Sequence, residues 1–560
     1  MKKKIVANIL AEELRKNKIN DLFMLTGYGA MYLNDAIERA KIKFYAARNE
    51  AAAPMMAAAY AKYKNKIGAV CVTAGPGATN ALPGLAEAFV DSSPVIVLSG
   101  QVEKKYSADN YKKINLRTLG IAEFSVTRIL KNITKYSVTI KNPNNCLYEI
   151  QKALHICKSG RPGPVWVEVP LDVQSAIIKN PKKLKKFKPS NNLRKYNLSN
   201  TRVVINKLKK SKKPVFIIGN GVKQSDTHNN FLRLAKKLSI PFFNSRFAND
   251  LFSHDIKNNL GLCGIKGVTY AKEILKKSDL IIALGCRLSP SLANGDPKSF
   301  SKNTKIISIN NDLNELYNPL LKLNKKINVD LKIFFKSIKK CKNILNFNKK
   351  EWLNDCQKIK NKNEIKNIYF NSEPIDMYRF LYDLCEYSKK ETILITDAGS
   401  NYYIGGQVWK FKNKQTEISS TTNAAMGLSL PLSIGAAVSS KKQVFSVTGD
   451  GSIELNIQEL KTISHYQLNI KTFVINNGGY VSMQKWQDDY FDKNRLDTST
   501  ITGVGTLNFK NMAKAFDLNY LKIKKISDIK EKIKRIQKDR KPYLIEVITD
   551  PNQKIYGQKF

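Results

Sequence analysis

The residues with the clearest chemical potential are a GDG triplet at 449–451 and an Asn pair that ends in Asn477. Glycines let a backbone approach a diphosphate, and a helix that begins after them offers free N–H donors to it. Asp450 supplies an anionic oxygen, Asn477 an amide oxygen and Gly479 a backbone carbonyl oxygen. Mg²⁺ prefers such oxygen ligands and commonly binds diphosphate oxygens as well. This spacing predicts a site for a magnesium-bound diphosphate.

The predicted strands explain how these motifs meet. An apolar run at 444–448 precedes the triplet, a second run at 471–476 precedes Asn477, and the stretch 453–465 between them has a helical pattern. A strand–helix–strand unit of this kind brings both motifs to the carboxyl ends of neighbouring parallel strands, where open α/β sheets bind ligands. A GDG triplet is also a common turn, and Asn pairs are frequent in an Asn-rich chain. A purely structural interpretation therefore stays open on these residues alone.

The same alternation of strands and helices runs through most of the chain. Short, near-continuously apolar runs rich in β-branched residues are typical of parallel sheets with both faces covered. The predicted strands are 69–73, 94–99, 165–169, 215–219, 280–285, 306–310, 392–397, 444–448, 471–476 and 543–548. Lys/Asn-rich segments at about 177–200 and 323–371 are candidate linkers. We predict an α/β fold with three doubly wound, mainly parallel-sheet domains at 1–178, 195–340 and 372–552.

The composition limits the class of protein. The 560 residues are 42% hydrophobic, enough for several cores, and no run of about 20 apolar residues predicts a membrane-spanning helix. The first 17 residues are expected to form an amphipathic helix rather than a signal peptide. Eight scattered Cys without a CxxC pair indicate reduced thiols and a cytoplasmic location, and four His argue against a His-rich metal site. The net charge of +48 comes from Lys spread along the chain, which favours a solvated surface over nucleic-acid or membrane binding.

Three segments together resemble the thiamine diphosphate enzymes, and specifically their acetolactate synthase-like group. They are GDGSIELN…VINNGGY at the predicted metal site, RNEAA at 48–52 followed by VTAGPGATNALPGLAEAFVDSSPVIVLSGQV, and SGRPGPVWVEVPLDV at 159–173. The resemblance covers essentially the whole chain. It implies a pyrimidine-binding domain first, a central domain and a C-terminal diphosphate-binding domain. It also implies thiamine diphosphate and Mg²⁺ as cofactors, with Asp450, Asn477 and Gly479 as the metal ligands.

The resemblance assigns the catalytic role to Glu50. Its carboxyl would bind the pyrimidine ring nitrogen of the cofactor and so promote proton removal from the thiazolium carbon. A carboxyl held near an apolar ring keeps a raised pKa suited to such a relay. On the residues alone, the alternative is that Glu50 is a helix N-terminal carboxylate that helps to cap the run 51–60. Many relatives have His before this Glu, whereas this chain has Asn49, a change that affects substrate protons rather than cofactor activation.

Further residues match cofactor-binding positions of the family. Met426 falls where relatives have a bulky apolar residue that wedges the cofactor into a bent shape, and an ordinary core Met is the alternative. Ser400 and Asn401 fall where relatives hold diphosphate oxygens, and loop capping is the alternative. The residues that the resemblance assigns to cofactor binding are Gly449, Gly451, Ser452, Met426, Ser400 and Asn401.

The implied reaction is decarboxylation of a 2-oxo acid, with pyruvate as the default donor, followed by transfer of the acetyl unit to an acceptor. A second 2-oxo acid as acceptor would make the chain an acetolactate synthase-like carboligase. Three residues match substrate positions in such enzymes: Gln101 beside the substrate, Lys135 at a channel lysine, and Trp486 at an acceptor-contacting tryptophan. For Trp486, simple packing is the alternative.

One position favours a different acceptor. Biosynthetic acetolactate synthases carry a second Arg that grips the acceptor carboxylate in the central domain. Here Arg287 matches the first Arg, but Ser291 occupies the second position. A hydroxyl does not replace a bidentate guanidinium. The segments 25–35 and 477–480 also resemble relatives in surface-sugar pathways, so acetyl transfer to a keto-sugar is the alternative.

The resemblance also bears on assembly and on a third cofactor. In this family the catalytic Glu of one subunit meets the diphosphate domain of another, which implies a homodimer or homotetramer with the active site between subunits. Biosynthetic acetolactate synthases hold a non-redox FAD in the central domain, and Arg287 lies at one of its contacts. A lone Gly219-Asn220-Gly221 turn is too common to decide whether FAD binds, so FAD stays open.

Overall fold

The long apolar runs form the central strands of three parallel sheets, because helices cover both faces of each sheet. A computed structural model describes residues 4–111, 113–114, 116–189, 196–265, 267–293, 304–319, 322–341, 345–364 and 371–556. Each sheet has six strands, and every pairing within the three sheets is parallel. The prediction of three doubly wound α/β domains is confirmed, and so are all ten predicted strands.

The first domain has the strand order β3-β2-β4-β5-β7-β6. A short antiparallel pair of β1 with β8 fastens the start of the described chain to the end of this domain. The strands are β1 Lys4–Ile5, β2 Asp21–Met24, β3 Lys43–Ala46, β4 Gly68–Val72, β5 Val95–Gln101, β6 Tyr136–Thr139, β7 Val165–Pro170 and β8 Ile177–Ile178. The helices are α1 Val6–Lys16, α2 Met31–Arg39, α3 Ala52–Lys64, α4 Pro76–Asn80, α5 Leu82–Val90, α6 Cys146–Lys158 and α7 Leu171–Gln174. The predicted amphipathic N-terminal helix is α1.

The middle domain has the strand order β11-β10-β9-β12-β13-β14, so the chain reverses direction across the sheet between β9 and β12. The strands are β9 Pro214–Ile218, β10 Phe242–Asn244, β11 Asn259–Leu262, β12 Leu280–Leu284, β13 Lys305–Asn310 and β14 Lys325–Asn328. The helices are α8 Leu198–Lys210, α9 Gly221–Gln224, α10 His228–Leu238, α11 Ala271–Lys277, α12 Leu313–Leu316, α13 Leu331–Lys340 and α14 Lys350–Lys362.

The second predicted linker, 323–371, is wrong for its described part. It contains β14, α13 and α14, which pack on the middle sheet. Phe334 and Phe335 of α13 are buried, and Trp352 of α14 donates a hydrogen bond from Nε1 to the Pro214 carbonyl at 3.1 Å. These helices are amphipathic, and their Lys-rich outer faces made the segment look uniformly polar. Residues 342–344 and 365–370 lie outside the described residues, as do 190–195 of the first predicted linker, which begins with the paired strand β8.

The third domain has the strand order β16-β15-β17-β18-β20-β19. The strands are β15 Ile393–Thr396, β16 Thr416–Glu417, β17 Val444–Gly449, β18 Ile470–Asn476, β19 Asn519–Ile523 and β20 Tyr543–Ile548. The helices are α15 Met377–Tyr387, α16 Ser400–Val408, α17 Ser429–Ser440, α18 Glu459–His465, α19 Val481–Tyr490, α20 Phe509–Ala515 and α21 Ile526–Lys538. The strands β17 and β18 are neighbours, as the motif spacing predicts.

The first and third domains share one hydrophobic core, in which α3 packs against α17. Ala52–Lys64 is rich in Ala and is buried around its circumference over most of its length. A Cβ added to Gly435 of α17 would lie 2.0 Å from the Met56 carbonyl oxygen, so the two backbones touch. Small residues on both helices therefore fix the relative position of the two domains.

Two global features complete the fold. Within the residues that the structure describes, no helix combines the length and the apolar surface needed to cross a bilayer. All eight Cys are buried free thiols. Burial raises the pKa of the Cys157 thiol to about 12, which keeps it protonated and unreactive.

Candidate active site

Asp450 joins the two predicted metal-binding loops. Its Oδ2 accepts hydrogen bonds from the backbone N–H groups of Asn477 (3.1 Å), Gly478 (2.9 Å) and Gly479 (3.0 Å). Its Oδ1 accepts one from the Gly451 N–H at 2.9 Å. Burial raises the pKa of Asp450, and these four N–H donors oppose that rise. The carboxylate is thus fixed between the ends of β17 and β18 before any ligand binds.

The oxygen donors at this point fit a magnesium ion. Asp450 brings a carboxylate, Asn477 a side-chain amide that is 92% buried together with its backbone, and Gly479 a carbonyl. No cluster of three or more His, Cys, Asp or Glu side chains forms a metal site in the described residues. A site built from one carboxylate and two neutral oxygens leaves coordination positions that diphosphate oxygens and water fill, which is the usual arrangement for Mg²⁺.

At two glycines of these loops a side chain has no room. Gly479 has φ = +105°, and a Cβ there would lie 2.6 Å from the Thr498 carbonyl oxygen. A Cβ at Gly451 would lie 2.5 Å from Cε1 of Tyr480. Gly449, in contrast, has room for a side chain, so its identity follows from neither strain nor contact.

Ser400 and Asn401 begin α16, directly after β15. Gly399 precedes them with φ = +85°, and Ser400 Oγ lies 2.9 Å from Ser482 Oγ at the start of α19. Asn401 is buried, and its Oδ1 has no hydrogen-bond partner among the described residues. The free N–H groups at the start of α16 lie beside the end of β17 and are suited to an anion. A diphosphate-binding role for both residues stays a prediction.

Met426 lies in a loop that faces the same edge of the sheet and is 37% exposed, so it is not an ordinary core methionine. The neighbouring Gly427 N–H donates to Asp397 Oδ1 at 3.1 Å and to Ser452 Oγ at 3.0 Å. The Gly427 carbonyl accepts a hydrogen bond from Asn456 Nδ2 at 2.9 Å. The Ser452 hydroxyl therefore holds this loop by accepting a hydrogen bond from it. Met426 lies in a turn that these hydrogen bonds fix.

Asp397 is the main residue at this edge that the sequence analysis missed. It is buried, and its carboxylate also accepts hydrogen bonds from Thr448 Oγ1 (3.0 Å) and the Ser429 N–H (3.3 Å). It ends an apolar strand just before a glycine turn, which is the signal that would have identified it.

Glu50 does not cap α3. No side chain caps the N-terminus of this helix, and it is Asn49 Oδ1 that accepts a hydrogen bond from the Ala51 N–H at 2.8 Å. The Glu50 carboxylate turns the other way, where Oε2 accepts a hydrogen bond from Asn80 Nδ2 at 3.0 Å. A Cβ added to Gly77 would lie 3.2 Å from Glu50 Oε1. The helix-capping alternative for Glu50 is therefore excluded, and its half-buried carboxylate is available for chemistry.

The three predicted substrate residues are not brought together in one place. Gln101 ends β5 at the carboxyl edge of the first sheet and is buried, and its Nε2 has no hydrogen-bond partner among the described residues. Trp486 stands on α19 after the metal loop and stacks on Tyr490, with ring centroids 4.9 Å apart. Lys135 precedes β6 at the opposite, amino edge of the sheet, where its Nζ donates to the Ile156 and Ser159 carbonyls. Gln101 and Trp486 lie at ligand-binding edges, and Lys135 does not.

The middle domain has a crevice where its strand order reverses, the usual place for a dinucleotide. The two turns beside it pack on each other, since the Gly221 N–H donates to the Gly285 carbonyl at 3.0 Å. Arg161 at the crevice is neutralised by Asp312 and Glu315, at 3.1 and 2.6 Å. The cavity between these residues measures about 170 Å³, and a second cavity of about 560 Å³ adjoins it at Asn220, Gly221 and Gly285. Whether FAD binds in this crevice stays open.

Large apolar side chains lie exposed around both halves of the site. In the first domain Ile121 is 96% exposed and Tyr28 76%. In the third domain Ile501 is 93% exposed and Leu496 76%. These residues follow the carboxyl ends of β2, β5 and β18, the edges that carry the candidate cofactor residues. Exposed apolar side chains grouped near a site are typical of a surface that another protein covers.

Comparison with known proteins agrees with this geometry. Three family models match, and together they cover more than half of the chain: the N-terminal TPP binding domain of thiamine pyrophosphate enzymes over residues 4–120, the central domain over 201–334, and the C-terminal TPP binding domain over 397–547. The chain therefore belongs to the thiamine pyrophosphate enzyme family, and it is a thiamine diphosphate-dependent enzyme.

Three relatives within that family are acetolactate synthase large subunits. It is 28% identical to the acetolactate synthase large subunit of Cyanidium caldarium, over 98% of this chain and 93% of the relative. It is 29% identical to the probable acetolactate synthase large subunit of Methanocaldococcus jannaschii (97% and 92%) and 28% identical to the acetolactate synthase large subunit of Lactococcus lactis subsp. lactis (98% and 93%). The chain is an acetolactate synthase-like member of the family.

Proposed function

We propose that this chain is a Mg²⁺-dependent decarboxylating carboligase that transfers the acetyl unit of pyruvate to a second 2-oxo acid. The observation that carries the proposal is the clasp of Asp450 on the N–H groups of Asn477, Gly478 and Gly479. These hydrogen bonds bring together the oxygen atoms of Asp450, Asn477 and Gly479, which are of the kind that Mg²⁺ prefers. They lie beside the start of α16, where helix N–H groups are free to bind an anion. The similarity to acetolactate synthase large subunits supports the choice of donor and acceptor.

The chain's own residues have separate tasks in this proposal. Asp450, Asn477 and the Gly479 carbonyl would hold Mg²⁺, and the α16 N–H groups with Ser400 and Asn401 would hold the diphosphate. Bound thiamine diphosphate supplies an electron sink for decarboxylation and carbon–carbon bond formation. Met426, held on its firm turn, would set the shape of the bound cofactor.

Glu50 would hold and move one proton at the pyrimidine ring nitrogen of the cofactor. The Asn80 amide orients its carboxylate, and no helix N–H competes for it. A carboxyl that is oriented by one hydrogen bond and does not cap its helix is suited to general acid–base catalysis. Gln101 ends β5 at the same sheet edge with its side chain buried beside the Glu168 carboxyl, and its contact with a substrate stays a prediction.

The chemical class of the acceptor, a 2-oxo acid or a keto-sugar, is the most specific part of the proposal. Ser291 lies exposed with its Oγ 3.0 Å from Ser289 Oγ, so this position presents hydroxyls where an Arg would grip a carboxylate. That pair is the feature on which a keto-sugar acceptor rests. No step of this proposal uses FAD, and its binding in the central-domain crevice stays open.

Assembly is also part of the proposal. We infer a homodimer, or a tetramer of such dimers, in which Glu50 of one subunit serves the diphosphate domain of another. The exposed side chains of Ile121, Tyr28, Ile501 and Leu496 around the two half-sites support this arrangement. A cytoplasmic location remains a prediction from the scattered free thiols.

Product analysis tests the proposal. The full chain is incubated with thiamine diphosphate, Mg²⁺ and ¹³C-labelled pyruvate, and products are identified by NMR and mass spectrometry. Acetolactate as the main product supports the proposal. Slow release of CO₂ and acetaldehyde without acetolactate overturns the 2-oxo acid acceptor, and keto-sugars are then added. No consumption of pyruvate overturns the donor.

A further inference from the structure

Glu459 is a buried carboxylate beside the site that the proposed chemistry does not use. It is the first residue of α18 in the third domain and is fully buried. Its Oε1 accepts hydrogen bonds from two backbone N–H groups of the first domain, those of Arg48 at 2.8 Å and Asn49 at 3.2 Å. Its Oε2 accepts a hydrogen bond from Thr462 Oγ1 at 2.7 Å. Both oxygens have partners, so the carboxylate is held in one orientation.

The residue after α18 holds the same loop. The hydroxyl of Tyr466 accepts a hydrogen bond from the Ala46 N–H at 2.8 Å, and its ring packs against Tyr45 with centroids 5.1 Å apart. Thr462 Oγ1 also lies 3.3 Å from the Ala46 carbonyl oxygen. Three side chains within eight residues of the third domain therefore bind the backbone that joins β3 to α3.

That loop leads directly to the catalytic Glu. Asn49 is its immediate neighbour, and α3 begins at Ala52. Two backbone N–H groups held by one buried carboxylate fix the peptide planes just before Glu50. The same helix α18 also lies close in sequence to the metal loop, because it begins nine residues after Asp450. One short segment thus connects the metal loop to the Glu50 loop of the same chain.

We propose that Glu459 is a positioning residue for Glu50, holding its backbone from the third domain so that the carboxylate stays in the orientation needed for proton transfer. The inference rests on the proposed function of Glu50. Its physical basis is that a displacement of about 1 Å by a residue away from the chemistry can cost about 100-fold in rate. Burial raises the pKa of Glu459, while the Thr462, Arg48 and Asn49 donors oppose the rise.

The test compares Glu459→Ala and Glu459→Gln with Glu531→Ala, which removes an exposed carboxylate from α21 of the same domain. The first readout is hydrogen–deuterium exchange by mass spectrometry on the cofactor-free full chain. The second is the exchange rate of the thiazolium proton of bound thiamine diphosphate in D₂O with Mg²⁺, measured by NMR after acid quench. The third is the Kd of the cofactor.

For Glu459→Ala we expect faster amide exchange in 46–51, thiazolium proton exchange slower by about 10- to 100-fold, and a Kd within about threefold of wild type. Glu459→Gln keeps an acceptor oxygen for both N–H groups, so its rates should recover to within about fivefold of wild type. The Glu531 control should match wild type throughout. Thr462→Val removes the Oγ1 contacts with Glu459 Oε2 and the Ala46 carbonyl, so it frees the Glu459 carboxylate to move and gives the same comparison at smaller size if the Ala variant does not fold.

Unchanged amide exchange in 46–51 for Glu459→Ala overturns the contact itself. Faster amide exchange with an unchanged thiazolium exchange rate overturns the positioning role and leaves a structural one. Failure of the proposed function is a separate result, since the wild-type chain would then neither bind the cofactor nor exchange its proton.

Discussion

Replacing Asp450 with Asn separates the structural and the metal-binding work of this carboxylate. Its four hydrogen bonds all come from backbone N–H groups, three to Oδ2 and one to Oδ1. The single amide oxygen of Asn keeps the three bonds if it takes the Oδ2 position. The amide nitrogen then faces the Gly451 N–H, which is left without an acceptor.

The expected loss of stability follows from that one N–H. An unsatisfied buried donor costs about 1–3 kcal/mol. The neutral amide also avoids the desolvation that raises the pKa of Asp450, so the net cost falls near the lower end of that range, about 1 kcal/mol. For a domain of this size, Tm of the cofactor-free Asp450→Asn protein should fall by about 2–4 °C.

The larger effect concerns the ligand. Cofactor at 100 times its Kd stabilises the folded wild-type chain by about 2.7 kcal/mol, and thiamine diphosphate with MgCl₂ should raise its Tm accordingly. Asp450→Asn removes the only charged metal ligand and should lose most of this gain. The assay is differential scanning fluorimetry of both proteins with cofactor and MgCl₂ or with EDTA, and Asp528→Asn on α21 is the control. A Tm gain in Asp450→Asn equal to that of wild type would refute the metal site.

Three further predictions concern Glu50, Met426 and the buried carboxyl of Glu168 on β7. Glu50→Gln should abolish pyruvate turnover while its cofactor Kd stays near that of wild type. Mixing equal amounts of the Glu50→Gln and Asp450→Asn proteins should restore about a quarter of wild-type activity. Half of the randomly formed dimers are hybrids, and each hybrid carries one intact site of its two. No recovery in verified hybrids would place both residues of a site in one chain. Met426→Ala should weaken cofactor binding and lower turnover, whereas Met483→Ala, on an exposed side chain of α19, should change neither; equal effects would remove the special role of Met426. Burial raises the pKa of Glu168 to about 7, so the folded chain keeps a proton that the unfolded chain releases near pH 4, and this contribution to stability is lost as pH rises towards 7. The Tm of Glu168→Gln relative to wild type should therefore be higher at pH 8 than at pH 5, and a difference that does not change with pH would contradict this.

The sequence predicted the central strands and the metal loops because those features are local. Continuous apolar runs such as 471–476 identify buried parallel strands, and the residues that follow them lie at the ligand edge. The edge strands Lys43–Ala46 and Asn519–Ile523 were missed, since only part of each strand is buried and the apolar signal is weak. The predicted linker at 323–371 failed for a related reason, because Lys on the outer face of α13 hid its buried face.

The site shows the same division. Glu50, Asp450 and Asn477 stand in motifs that the sequence displays. Asp397 and Glu459 act through contacts with segments far away in the chain, and no spacing rule predicts those. Lys135 matched by position in the sequence only, and the fold places it at the amino edge of its sheet, opposite the edge that carries Gln101.

The packing of α3 on α17 has a consequence for how the chain is made. Both helices are apolar and buried on nearly all sides, yet 364 residues separate the end of one from the start of the other. At a synthesis rate of about 5–20 residues per second, α17 is made about 20–70 s after α3. During this time the Ala- and Met-rich surface of α3 is not covered by α17. The first domain therefore completes its core only when the third domain arrives, and the newly made chain must be protected from aggregation during that interval.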